Sequence, residues 1–170
     1  MTLRDMILDE PTKARKTEIA AYIGDDQEKF TRLWQLIKTD SPPVPRLAAW
    51  IMEEVTAQHP FQVTAHLQDI IDFLPGDFHD GVRRNLVKIL SRTPLPEDRQ
   101  GELYDLSLAW LMSGNQPVAI KVWCMEICAS IAWPYPELRD EVCMVIEEQM
   151  PFGSAGFRSR GKRILKRLKT

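Results

Sequence analysis

Three cysteines, three histidines and a few acidic pairs are the residues whose types and spacing could do chemistry in this chain. Cys124 and Cys128 stand at i and i+4, on one face of any helix that carries them, and Cys143 follows in the next segment. Zinc bound by such thiolates would need a fourth ligand, and His59, His66 and His79 lie well upstream with no ligand spacing. The cysteines sit in apolar stretches, so the sequence predicts buried, reduced thiols with no metal and no other cofactor. No His-Glu-x-x-His occurs, and no serine or cysteine stands at motif distance from a histidine. The eight glycines form neither phosphate-binding loop. Glu53-Glu54 and Glu147-Glu148 read as solvated helix faces, since paired acids are too common to mark acid–base catalysis. The chain is therefore read as no enzyme.

Binding chemistry is the other possibility. Arg46, Trp50, Arg84, Lys88, Lys121, Arg160 and Arg163 recur at similar places in successive segments. Arginine and lysine suit carboxylates or phosphates, and an exposed tryptophan suits an aromatic or peptide contact. Charge is also unevenly spread. Residues 1–150 hold 15 basic and 24 acidic side chains, a net charge of −9, whereas residues 151–170 hold seven basic and no acidic ones, a net charge of +7. An acidic body with a basic end can meet two kinds of partner.

The elements that must position these residues are marked by proline. The twelve prolines, at 11, 42, 43, 45, 60, 75, 94, 96, 117, 134, 136 and 151, fall between periodic segments or in first turns, where proline is tolerated. Between them apolar residues recur at helical spacing, as in Phe30, Leu33, Trp34 and Ile37, or Val63, Leu67, Ile70 and Leu74. Nine helices are predicted, near 12–23, 26–38, 44–57, 61–74, 81–91, 98–112, 118–132, 137–149 and 156–168. The first is an N-terminal capping helix and the rest form pairs near 26–57, 61–91, 98–132 and 137–168. The second helices open at Val44, Val82, Val118 and Phe157, which are 38, 36 and 39 residues apart. Each has a basic residue within three positions and a small or apolar one at i+4. A period near 40 in helix pairs predicts an all-α fold, an α-solenoid (α-α superhelix) of about four HEAT-like pairs over a single domain, 1–170. An irregular helical bundle is the alternative.

Two segments stand out within this plan. Val118 to Ala132 is apolar nearly all round, as suits a helix between neighbours, while 157–168 is apolar on one stripe and basic elsewhere, as suits a terminal cap. Trp133-Pro134-Tyr135-Pro136 reads either as an aromatic folded over the first turn of the next helix or as an exposed recognition knob.

The segments Ala48-Ala49-Trp50-Ile51-Met52-Glu53-Glu54-Val55, Val118-Ala119-Ile120-Lys121-Val122-Trp123-Cys124-Met125 and Arg160-Gly161-Lys162-Arg163-Ile164-Leu165-Lys166 resemble a family of short bacterial HEAT-like proteins. Members are often labelled adenylosuccinate lyase. The resemblance covers about residues 25–168 and implies the fold, but it brings no catalytic residues. True lyases of that class are far longer and carry a Ser-rich loop followed by Met-Pro-x-Lys-x-Asn. Here only Gly153-Ser154-Ala155-Gly156 comes near, and nothing after it fits.

On a helical projection, Val44, Ala48, Ile51 and Val55 form the buried stripe of one second helix. The seven candidate residues fall on a common flank, a ladder that would run along the concave face of a solenoid. Solvated surface charge is the competing reading of that flank. The favoured function is a non-catalytic scaffold binding another protein or an acidic peptide, along the concave face or at the basic C-terminal helix. An alternative is a nucleic-acid-binding protein related to the HEAT-like alkylpurine DNA glycosylases, which the pI of 5.9 opposes. Met1 to Asp9 lacks a signal peptide's apolar stretch, and no 18-residue apolar run occurs. A cytoplasmic protein that does not enter the membrane is expected.

Overall fold

The computed structural model describes residues 1–170 as ten α-helices and three short 3₁₀ segments, 79% helical and without a strand. The helices are α1 (Leu3–Leu8), α2 (Lys13–Ile23), α3 (Gln27–Thr39), α4 (Val44–Gln58), α5 (Leu67–Phe73), α6 (Asp80–Ser91), α7 (Gln100–Met112), α8 (Val118–Ala132), α9 (Pro136–Gln149) and α10 (Ala155–Lys169). Two compact units divide within α6, Met1–Ile89 and Leu90–Thr170. No helix is long and apolar enough to cross a membrane.

In the first unit α3 and α4 pack as a pair, and α1 and α2 lie against α4. Phe30, Leu33, Trp34 and Ile37 of α3 meet Val44, Ala48, Ile51 and Val55 of α4, all at most 3% exposed. Burying each large side chain contributes roughly 1.5–3 kcal/mol. Asp26 starts α3 by accepting the backbone N–H groups of Glu28 and Lys29. Gly24 ends α2 at φ 48°, a conformation that a β-carbon would strain.

Two differences from the sequence reading occur here. The N-terminal cap is two helices, because Thr2 and Asp5 form a reciprocal capping box that starts α1. The helix expected over 61–74 opens instead as a 3₁₀ segment, Pro60–His66, and becomes α-helical only at Leu67. The side chain of Gln27 donates to the Gln62 carbonyl at 3.3 Å, which a regular helix would have offered to the backbone at His66. Gln62, itself fully buried, donates to the Gly24 carbonyl at 2.8 Å. These bonds tie the segment to the α2–α3 turn.

In the second unit α8 packs against α7, α9 and α10. That environment explains why Ile120, Cys124, Met125, Ile127, Cys128 and Ile131 are all buried. The terminal helix buries Phe157, Gly161, Ile164 and Leu168 and exposes its basic side. Gly161 permits close approach to α9, since a β-carbon there would lie 2.6 Å from Met150 Sδ and 3.2 Å from Ile146 Cγ2. Across the interior of this unit, the Tyr104 hydroxyl donates to Glu141 at 2.7 Å, and burial, with that bond second, holds the phenol well above its ordinary pKa.

Candidate functional site

The flank of α4 is built by its neighbours. The buried stripe through Val44, Ala48, Ile51 and Val55 leaves Trp50, Glu53 and Glu54 beside it. From α2, Lys16 places its ammonium 3.1 Å from Glu54 and 4.6 Å over the Trp50 ring. From α6, Lys88 reaches Glu53 at 2.9 Å. Glu53 is only 8% exposed, so the solvated acidic face expected at Glu53-Glu54 is corrected. A carboxylate at that depth is retained because cations meet it there.

The second unit repeats the device. Trp123-Cys124-Met125-Glu126 on α8 has the same form as Trp50-Ile51-Met52-Glu53 on α4. Here one residue serves both groups. Arg160 of α10 donates to Glu126 at 2.6 Å and lays its guanidinium 4.9 Å over the Trp123 ring, and Arg167 adds a contact to Glu126 at 3.2 Å. A planar guanidinium can stack and donate at once, which an ammonium does less well.

The ladder residues therefore divide. Trp50, Lys88 and Arg160 are half-buried and engaged with these acids and rings. Lys121 is half-buried and touches only the neutral Gln149 side chain, at 3.4 Å. Arg46, Arg84 and Arg163 are exposed and matched to no acid. The stem of Arg46 lies over Gly81 at the start of α6, where a β-carbon would stand 3.2 Å from its Cγ. That packing joins Arg46 to the helix that carries Arg84.

The other candidates have local roles. Burial pushes the Cys124 thiol up to about 12 and the Cys128 thiol well above its usual value, and it raises Cys143 as well. Such groups are poor nucleophiles at neutral pH. His79 accepts the Gly81 N–H at 2.8 Å, His59 stands edge-on to Phe61, and His66 sits against Thr31 and Gln27 of α3. No group of three or more His, Cys, Asp and Glu is arranged to hold a metal ion. Asp69 accepts from Lys38 at 2.5 Å and from the Trp34 indole at 2.7 Å, and these bonds hold its carboxyl below the usual range. Trp133 is exposed, and its ring lies 5.5 Å from the guanidinium of Arg139 near the start of α9.

A helix-only chain with this repeated device matches the family model of the HEAT repeat domain over residues 3–168. The chain belongs to the HEAT repeat family. No curated protein and no solved structure matches it, and the adenylosuccinate lyase name gains no support. HEAT repeats generally mediate protein interactions, and their all-helical scaffold is typically non-enzymatic. Of the acids that engage the ladder, Glu53 is read from sequence as solvated and Glu126 is not singled out at all. Their recurrence as Trp-x-Met-Glu is the signal that could have found them.

Proposed function

We propose that this HEAT repeat protein is a non-catalytic scaffold that binds an acidic segment of another protein, acting as one repeat domain over 1–170. Arg46, Trp50, Arg84, Lys88, Lys121, Arg160 and Arg163 remain the candidate residues, and five of them fall into two roles. Trp50, Lys88 and Arg160 set the helix flanks, and Arg46 and Arg84 receive the partner. The observation that carries the reading is that Arg46 and Arg84 stay exposed and unmatched while neighbouring cations are taken up by Glu53 and Glu54. A guanidinium free of internal acids can give both its parallel N–H groups to a carboxylate. A family match running through both compact units supports the single-domain reading. Three free, buried thiols support a reducing, cytoplasmic setting.

Affinity purification of the tagged full chain, with and without nuclease, tests this, alongside the Arg46→Glu/Arg84→Glu variant. A co-purifying protein should survive nuclease, rebind as a pure component, and be lost in the variant. The fold should persist, because exposed substitutions typically shift stability by less than about 0.5 kcal/mol. Recovery of nucleic acid alone, lost in the variant, would transfer the function to the nucleic-acid alternative.

A further inference from the structure

Resting on the protein-binding reading, we propose that the second unit has its own docking site, an apolar groove continued by the outer face of α10. Its occupant is a short acidic segment of a partner protein bearing one large apolar side chain. The groove, about 440 Å³, lies where the ends of α7 and α9 meet the starts of α8 and α10. Met112, Val118 and Phe152 line it and are 58, 45 and 90% exposed. Phe157 forms part of its wall, and Lys121 stands on its rim, matched to no acid. Three large apolar side chains left in water around one concavity mark a place where another apolar group belongs.

The charged face begins at the groove. Gly153, in the groove wall, accepts a hydrogen bond from the Arg158 guanidinium, which joins the groove to α10. Lys162 and Lys166 follow Arg158 at intervals of four, about 6 Å apart along the axis, with Arg163 beside them. All four are exposed and none is matched to an acid. The acids that reach α10 take only its edges. Glu126 holds Arg160 and Arg167, and Glu147 holds Lys169.

These surroundings choose the occupant. The outer face of α10 carries no large apolar side chain, so a folded partner finds no core there and a membrane finds little along the helix to take up. The unmatched strip from Arg158 to Lys166 is only about 12 Å long. On α9 the exposed acids Glu137, Asp140 and Glu148 follow, and Glu148 also lines the groove. A nucleic-acid duplex, whose phosphates continue past the strip, meets these carboxylates in place of further cations. A short flexible segment can keep its carboxylates over α10 and place one apolar residue in the groove. Acidity alone accounts for the cations but not for Phe152.

Fluorescence anisotropy with the full chain tests this. The probes are dodecapeptides of Asp, Glu and Ser bearing one Phe near either end, the same acidic peptide without Phe, the Phe peptides with every acid replaced by Ser, and a short DNA duplex. One Phe-bearing acidic peptide should bind at least about tenfold tighter than either single-feature peptide. Phe152→Ser should remove that advantage and leave plain acidic binding intact. Lys162→Glu with Lys166→Glu should lose both. Equal binding of the plain acidic and Phe-bearing peptides, or an advantage that survives Phe152→Ser, overturns the groove. Tighter binding of the duplex than of any peptide reassigns the strip to nucleic acid. The Arg46→Glu/Arg84→Glu variant should bind these peptides like wild type. Failure of the peptides while the purified partner still depends on Arg46 and Arg84 sinks this site and leaves the scaffold reading standing.

Discussion

The Trp-x-Met-Glu sequence on α4 and its copy on α8 solve one problem in two ways. On α4 the acid Glu53 is sunk to 8% exposure and meets Lys88 from α6, while Lys16 from α2 serves the ring and the neighbouring Glu54. On α8 the acid is half-buried, and Arg160 serves ring and carboxylate together, with Arg167 in support. The deeper acid has less access to water, whereas the shallower one is held by two arginines. The same side chains thus carry different structural weight in the two units, and that difference decides which cations can be altered without loss of the fold.

The largest effect is expected from removing the acids. Glu53→Ala removes the buried carboxylate that Lys88 meets at 2.9 Å, and because Lys88 retains some water the loss should fall below the full buried-pair range, at about 2–3 kcal/mol. Glu126→Ala should cost less, at about 1 kcal/mol, since Arg160 keeps its place over the Trp123 ring and the more exposed Arg167 can turn to solvent. Urea unfolding of the two variants makes the measurement, and equal losses would break the comparison. Next, Gly161→Val should destabilise by about 1–3 kcal/mol, because its side chain meets Met150 and Ile146 within van der Waals distance. Gly161→Ala should cost less, as the Met150 thioether is flexible. Smaller again is Arg160→Lys, at about 1 kcal/mol, since an ammonium lacks the planar face that stacks on Trp123 while its edge donates to Glu126. Lys16→Arg, the reverse exchange on α4, should cost less than Arg160→Lys. A larger loss from Lys16→Arg would refute the assignment of roles.

Much of the fold was legible because helix boundaries depend on local chemistry. Pro45, Pro117, Pro136 and the apolar period through Phe30, Leu33, Trp34 and Ile37 mark their helices within a residue or two. Helix α1 was equally local, a capping box from Thr2 to Asp5, but six residues are too few to show a period. The 3₁₀ start at Pro60 depends on Gln27, far away in sequence, and no pattern within 61–74 reports it. Which of the candidate cations stay open was not legible, because Lys88 and Arg160 find their acids one repeat earlier, in Glu53 and Glu126.

The smallest expected effect concerns pH and separates the first unit from the second. His66, where the 3₁₀ segment becomes α5, has Nε2 3.1 Å from the Thr31 hydroxyl and 3.3 Å from the Gln27 amide nitrogen. With both donating, the ring accepts at Nε2 and is neutral. Burial lowers its pKa, Asp69 on α5 opposes that, and Lys38 on α3 adds to it, with a net shift downward. A histidine whose folded pKa lies below its unfolded value is disfavoured in its charged form by folding. Above about pH 6.5 both states are neutral and the group adds no pH dependence. As pH falls through that value the unfolded chain takes up a proton that the folded chain resists, so stability declines until the lowered folded pKa is passed. Asp69, whose pKa is also lowered, acts in a more acidic window, where stability present above its unfolded pKa is lost as pH falls through the folded one. His66→Gln should therefore flatten the stability profile just below pH 6.5 and leave the acidic limb in place. Urea midpoints for wild type and variant across that range decide the matter. An unchanged slope in the variant would show that the Thr31–His66–Gln27 contact does not hold the ring neutral.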